Sequence, residues 1–146
     1  MPKIEKITKQ TENPYVNLYL VEGKNKVDHL FRYYVASRAK TMEQMKIKTR
    51  KNTPDGVLMY SLYGEKRDKI VLVRQYRVSI DDYIYEFPAG LVESGEEFHE
   101  AAVREMHEET GLTFHPLKVD PCYEKPFFTT IGMTDEACSA VYGWCE

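Results

Sequence analysis

The chain has 146 residues, of which 42% are hydrophobic and 29% charged, and its formal net charge is −3. That length suits one globular domain with a real core and is short for two, while the mild negative charge and scattered basic residues give no electrostatic case for a nucleic-acid partner. No apolar run has the length of a membrane span, the start "MPKIEKITKQ" lacks the apolar core of a signal peptide, and Cys122, Cys138 and Cys145 show no C-x-x-C spacing. A cytoplasmic chain with reduced thiols is expected, rather than a membrane protein, a disulfide scaffold or a zinc site.

Residues 15–21 ("YVNLYLV") alternate in a strand-like way, "GKN" at 23–25 signals a turn, and residues 30–36 ("LFRYYVA") complete an N-terminal hairpin. Residues 41–50 are polar and ambiguous, and "TPDG" at 53–56 is a turn. Strands are expected over 57–63 and 70–76, on either side of the charged turn "GEKRDK", and over 83–87, where Pro88 ends the run. A glutamate-rich stretch follows, and beyond it "KVDPCYEKPFF" and "EACSAVYGW" suggest further strands around loops. Several strands before one helix, without regular alternation, predict a mixed sheet with helix packed on it. The sequence stops at "VYGWCE", within a strand by this reading and without a closing helix.

The stretch "GLVESGEEFHEAAVREMHEETGL" (90–112) holds seven glutamates and one arginine. Ser94 and Glu97 have capping-box spacing, so the helix is expected to begin at Ser94, and Gly111 suits a left-handed C-terminal residue. Glu96 and Glu97 suit the positive end of the helix dipole. At ~100° per residue, Phe98, Ala101, Ala102 and Met106 share one arc, and Glu105 and Glu109 fall inside it with Glu108 at its border. Arg104 falls on the other side and points elsewhere by this count. A carboxylate on a core-facing stripe is costly unless it is paired or bound to metal. Carboxylates at i, i+3 and i+4 share one patch, which suits a hard divalent cation. A solvated face and a metal site are the two readings, and the direction of Glu105 and Glu109 favours metal.

The same stretch matches the signature G-x5-E-x7-R-E-U-x-E-E-x-G-U, with U bulky and apolar, through Gly90, Glu96, Arg104, Glu105, Met106, Glu108, Glu109, Gly111 and Leu112. On these residues the chain resembles the Nudix hydrolases. The resemblance implies an α/β fold, a Nudix-like α/β/α sandwich with a mixed β-sheet. It places a Nudix hydrolase domain over 51–146, behind an N-terminal hairpin and dimerisation segment over 1–50. Relatives continue past this point, so the chain reads as C-terminally truncated. The implied reaction is hydrolysis of a nucleoside diphosphate linked to another moiety, with Mg²⁺ or Mn²⁺ as cofactor. Glu105, Glu108, Glu109 and Arg104 form the implied catalytic set. Glu105 and Glu109 would be ligands, Glu108 would join them or act through water, and the carbonyl of Ala89 would bind the metal too. Arg104 and Glu96 would be charged supports.

"LVRQYR" ahead of "YEFPAG" resembles the ADP-ribose pyrophosphatase branch, which implies a nucleotide-sugar substrate, a homodimer, and cleavage of ADP-ribose to AMP and ribose 5-phosphate. Arg74 and Arg77 would contact the diphosphate or nucleotide, with Glu86 beside them; pairing at a strand end is the competing explanation for all three. One departure from that branch is Ile131, which stands where a proline is expected. The alternatives are another NDP-sugar or a dinucleoside polyphosphate as substrate, and a non-catalytic ligand-binding or regulatory module. The isomerase branch of the fold needs a cysteine upstream of the glutamate stretch, and all three lie downstream. Tyr34, Tyr83 and Phe87 fit packing better than base stacking. His99 and His107 are expected at the surface, and His29 and His115 have no visible partner.

Overall fold

In the computed structural model, which describes residues 1–146, the N-terminal segment forms an antiparallel three-stranded sheet: β1 (Lys3–Lys9), β2 (Asn17–Lys24) and β3 (Leu30–Ser37). The expected hairpin is β2–β3, and β1 is an addition. Its sequence hides it, because a register shift between Ile4 and Lys6 breaks the two-residue period by which a strand is recognised. A short turn at Met42–Gln44 and the four-residue α1 (Lys46–Thr49) bring Met45 onto the sheet, where it packs with Ile7, Tyr19 and Val21.

The chain divides into two compact units, one of residues 1–52 with 128–136, the other of 53–127 with 137–146. The first unit is therefore discontinuous. Ala36 N–H donates to the Met133 carbonyl at 2.9 Å, Arg38 pairs with Glu136 at 2.8 Å, and an Asp135 carboxylate oxygen accepts the Lys46 N–H at 3.2 Å.

The second unit contains β4 (Gly56–Tyr63), β5 (Lys69–Ile70), β6 (Val73–Arg77), β7 (Asp82–Glu86), β8 (Ala89–Leu91), α2 (Phe98–Thr110), β9 (Phe114–Pro116) and β11 (Ala137–Cys145). The two-residue β10 (Phe127–Phe128) lies where the chain passes between the units. The main sheet is mixed, as expected. β4 and β11 run parallel, β5 and β8 pair antiparallel with β4, and β9 pairs antiparallel with β11. Parallel partners need a long crossover, and the stretch between β4 and β11 includes α2. The helix buries Ala101, Ala102 and Met106 against Val57, Met59, Phe114, Val141 and Cys145. Two alanines on that face let the helix axis approach the sheet closely.

Two strand expectations need correction. Residues 70–76 are not one strand: Val71 turns into the core and its N–H donates to the Ser61 carbonyl at 3.1 Å, so β5 stays on β4 while β6 leaves to form a separate two-stranded sheet with β7. The stretch "KVDPCYEKPFF" is mostly irregular, with a single turn at Pro121–Tyr123 capped by Asp120 and only Phe127–Phe128 extended. Its prolines lack the N–H a ladder needs. All three cysteines are free thiols. No helix is long and apolar enough to cross a membrane.

Candidate functional site

The site is built where α2 crosses β8. Register with β4 fixes β8 (Leu58 opposite Ala89, Val57 opposite Gly90), and the buried Pro88 just before it accepts the Met59 N–H at 2.9 Å. The Glu105 side chain lies directly over Gly90: a Cβ at that position would stand 1.9 Å from the Glu105 carboxyl carbon. Only glycine permits that approach. One turn further along, Glu109 accepts the Ala89 N–H at 3.2 Å. The helix thus delivers two carboxylates to the same backbone segment.

Arg104 corrects the sequence reading. It does not point away from the carboxylates. Its guanidinium grips both oxygens of Glu96 at 2.9 Å, donates to Glu105 at 2.8 Å and to the Leu91 carbonyl at 3.0 Å, and stands 3.4 Å from Glu108. A helical-wheel angle gives the direction of a Cβ, whereas a long arginine stem can fold back along the helix. Arg104, helped by the Glu93 N–H, holds the Glu96 carboxyl down to about 2. The same carboxylates, led by Glu96, raise the arginine above its ordinary value.

Glu109 is exposed as a residue, but its carboxyl end turns toward Ala89. Partial loss of hydration raises its pKa, the Ala89 N–H opposes that, and Glu105 adds a like charge. Arg77 and Glu86 are close enough to act on it in opposite senses. These two are themselves joined, with Arg77 Nη2 at 2.6 Å and Nε at 2.9 Å from one Glu86 oxygen.

The predicted residues therefore separate. Ala89, Glu105 and Glu109 come together, and Arg77 and Glu86 stand beside them. Glu108 remains at the rim with a side chain 57% exposed. Arg74 belongs to a different cluster: its guanidinium lies over the Tyr83 ring at 4.1 Å, and Tyr83 meets Tyr76 edge-on.

As the side chains stand, no three carboxylate, histidine or cysteine groups surround a common point. The residues nevertheless fit a hard divalent cation. The donors are all oxygens, the absent side chain at Gly90 leaves the Glu105 carboxylate against the backbone, and Glu105 and Glu109 act on each other as like charges. Glu105, Glu109, Glu108 and the Ala89 carbonyl are the groups that could hold one.

The start of α2 also differs from expectation. The N-cap is Glu97, not Ser94, and it accepts the His99 N–H at 2.8 Å. His99 is no free surface group. Its Nδ1 lies 2.9 Å from Glu97 and its Nε2 lies 2.8 Å from Glu124. Glu124 is a structural partner that sequence reasoning missed; 25 residues separate it from His99, and no periodic pattern links them. His115 likewise has partners, stacking on Trp144 at 4.1 Å and meeting Glu146 at 2.9 Å. The C-terminus of α2 follows expectation, with Gly111 at φ 74°.

Comparison with known proteins matches residues 52–142 to the NUDIX domain. The chain is 38% identical over 87 residues to ADP-sugar pyrophosphatase of Mus musculus, covering 58% of this chain and 40% of that protein. It is 35% identical over 80 residues to ADP-ribose pyrophosphatase of Saccharomyces cerevisiae, covering 53% and 35%. Over 61 residues it is 44% identical to ADP-ribose pyrophosphatase of Bacillus subtilis, covering 41% and 33%. The chain thus spans two fifths or less of the length of each of these three relatives. A crystal structure of an ADP compounds hydrolase superposes with a TM-score of 0.72 at 18% identity, covering 98% of this chain and 66% of that one, and so shares its fold.

Proposed function

Since the chain belongs to the Nudix family, we propose that it hydrolyses a nucleoside diphosphate linked to a sugar, with ADP-ribose split to AMP and ribose 5-phosphate and with Mg²⁺ or Mn²⁺ as cofactor. The observation that carries this reading is the convergence of Glu105 and Glu109 on Ala89 and Gly90, with the Arg77–Glu86 pair beside Glu109. The named activities of the mouse, yeast and Bacillus relatives support the substrate class.

In balanced form, water adds its oxygen to one phosphorus, the bridging P–O bond breaks, and each phosphate leaves with one sugar. A diphosphate repels an attacking hydroxide, and a bound cation would supply the charge neutralisation and water activation this demands. Glu105, Glu109 and the Ala89 carbonyl would hold it, with Glu108 joining from the rim. Arg104 acts as a positioning group, because its bonds to Glu96 and the Leu91 carbonyl fix the direction from which it holds Glu105. Arg77 would meet the diphosphate, kept in place by Glu86. Arg74, held over Tyr83, would act further out toward the nucleotide.

The test is incubation of the chain with ADP-ribose and Mg²⁺, followed by chromatography for AMP. AMP and ribose 5-phosphate in equal amounts are expected. No AMP, with a folded chain and saturating metal, would sink the reading.

We also propose a cytoplasmic homodimer, with residues 1–50 as its dimerisation segment and 51–146 as the hydrolase domain. The exposed apolar side chains of that segment support association, since Leu30 is 76% and Tyr34 54% exposed. Sedimentation equilibrium showing only monomer would remove that part.

A further inference from the structure

We infer that the outer edge of β1 is a docking strand for an extended acidic segment of another protein. β1 pairs on one side only, with β2, and the backbone groups of its other side meet no backbone partner. A groove of about 350 Å³ lies beside this strand, lined by residues 2–7 on one side and by Ile47, Lys48 and Arg50 on the other. Ile7 is buried in the core of the sheet, so this end of the strand is anchored rather than frayed.

Four cations border the groove: Lys3 and Lys6 from β1, Lys48 from α1, and Arg50 just after it. None of them joins an ion pair. The single carboxylate in the groove, Glu5, faces Lys24 at 4.0 Å.

Edge lysines also guard sheets against aggregation, and the register shift at Ile4–Lys6 adds to that protection. Such a guard needs only the lysines of the strand itself. Lys48 and Arg50 come from a separate segment and stand across the groove, so the positive charge lines both walls. A lone phosphate would answer the cations but would set its oxygens against the outward carbonyls of β1. A second copy of β1 would pair with the edge but would bring lysines against lysines. An extended acidic polypeptide answers both features, through ladder hydrogen bonds to the edge and carboxylates toward the four cations.

The test uses the full chain and a blocked heptapeptide alternating glutamate and valine, followed by amide chemical shifts at low salt. Saturable shifts confined to the amides of residues 3–7 and 46–50 are expected. Lys6→Glu and Lys48→Glu should each weaken binding about fivefold. Methylating alternate peptide nitrogens, which removes the ladder donors, should weaken it about tenfold. Lys3→Glu gives a second charge reversal should either variant lose its near-ultraviolet dichroism. The inference is overturned if the peptide gives no saturable shifts at millimolar concentration, or if the methylated peptide binds equally well. Inorganic phosphate shifting the same amides while the peptide does not would also overturn it. So would self-association of the chain through these same amides.

Discussion

Glu105 and Glu109 reach the same backbone segment by different routes, which makes their substitutions distinguishable. Glu105 is pinned between Arg104 and the bare backbone of Gly90, whereas Glu109 is tied only through the Ala89 N–H. Glu109→Gln should keep the fold and the hydrogen bond, yet lower turnover by orders of magnitude, as read by AMP release beside an unchanged thermal melt. Near-normal turnover would remove Glu109 from the ligand set. Gly90→Ala is a sharper test. Its methyl group would drive the Glu105 carboxylate out of place, so a loss of about 100-fold in kcat is expected from misplacement alone. The melting temperature should change little, because the displaced group is a side chain rather than backbone. The direction of both carboxylates was legible from helical periodicity. The reach of Arg104 was not, because an unbranched side chain can lie along the helix in ways that a Cβ angle does not encode.

At the scale of elements, α2 is held at its start by a histidine bridging two carboxylates. His99 faces Glu97 on its own helix and Glu124 from the loop, with the Phe98 ring beside it. Burial lowers the pKa of His99, but its bonds to Glu124 and Glu97 outweigh that and leave it above the ordinary 6.5. The sign follows from linkage: the raised group stabilises the fold fully below 6.5, and that stability is lost as pH rises through the folded-state value. Thermal melts across this window should show the native chain losing an increment that His99→Asn lacks. Parallel curves for the two proteins would mean that the bridge contributes nothing.

The elements that sequence revealed are those with one uninterrupted pattern. β4 alternates buried and open positions along most of its length, and α2 repeats every three to four residues. The missed or misjudged ones break their pattern inside the element. A bulge interrupts β1, and Val71 leaves the strand path so that one apolar run serves two sheets.

The whole molecule divides unevenly in charge. The first unit carries 12 Lys and Arg against 7 Asp and Glu, a net +5, and the second carries 8 against 16, a net −8. Read along the linear sequence, the basic residues looked scattered; grouped by unit they are concentrated. The first unit also depends on a distant stretch of chain. Residues 1–52 alone lack the Met133 carbonyl, Glu136 and Asp135 that Ala36, Arg38 and Lys46 use. A fragment of residues 1–52 should therefore melt without a cooperative transition, while the full chain melts cooperatively. A sharp calorimetric peak from the fragment would contradict this. Arg38→Ala in the full chain should lower the melting temperature by only a few degrees, since it removes one half-exposed ion pair.

That division sets an order of events on the ribosome. The three N-terminal strands emerge first, but 75 residues (53–127) separate them from the segment that completes their unit. At the usual pace of translation the interval is about 4 to 15 s, long compared with the formation of a hairpin. The second unit waits as well, because β11 is the parallel partner of β4 and follows directly after residue 136. One continuous stretch of nascent chain, 128–145, thus supplies the missing piece of each unit in turn, and neither can close much before the other.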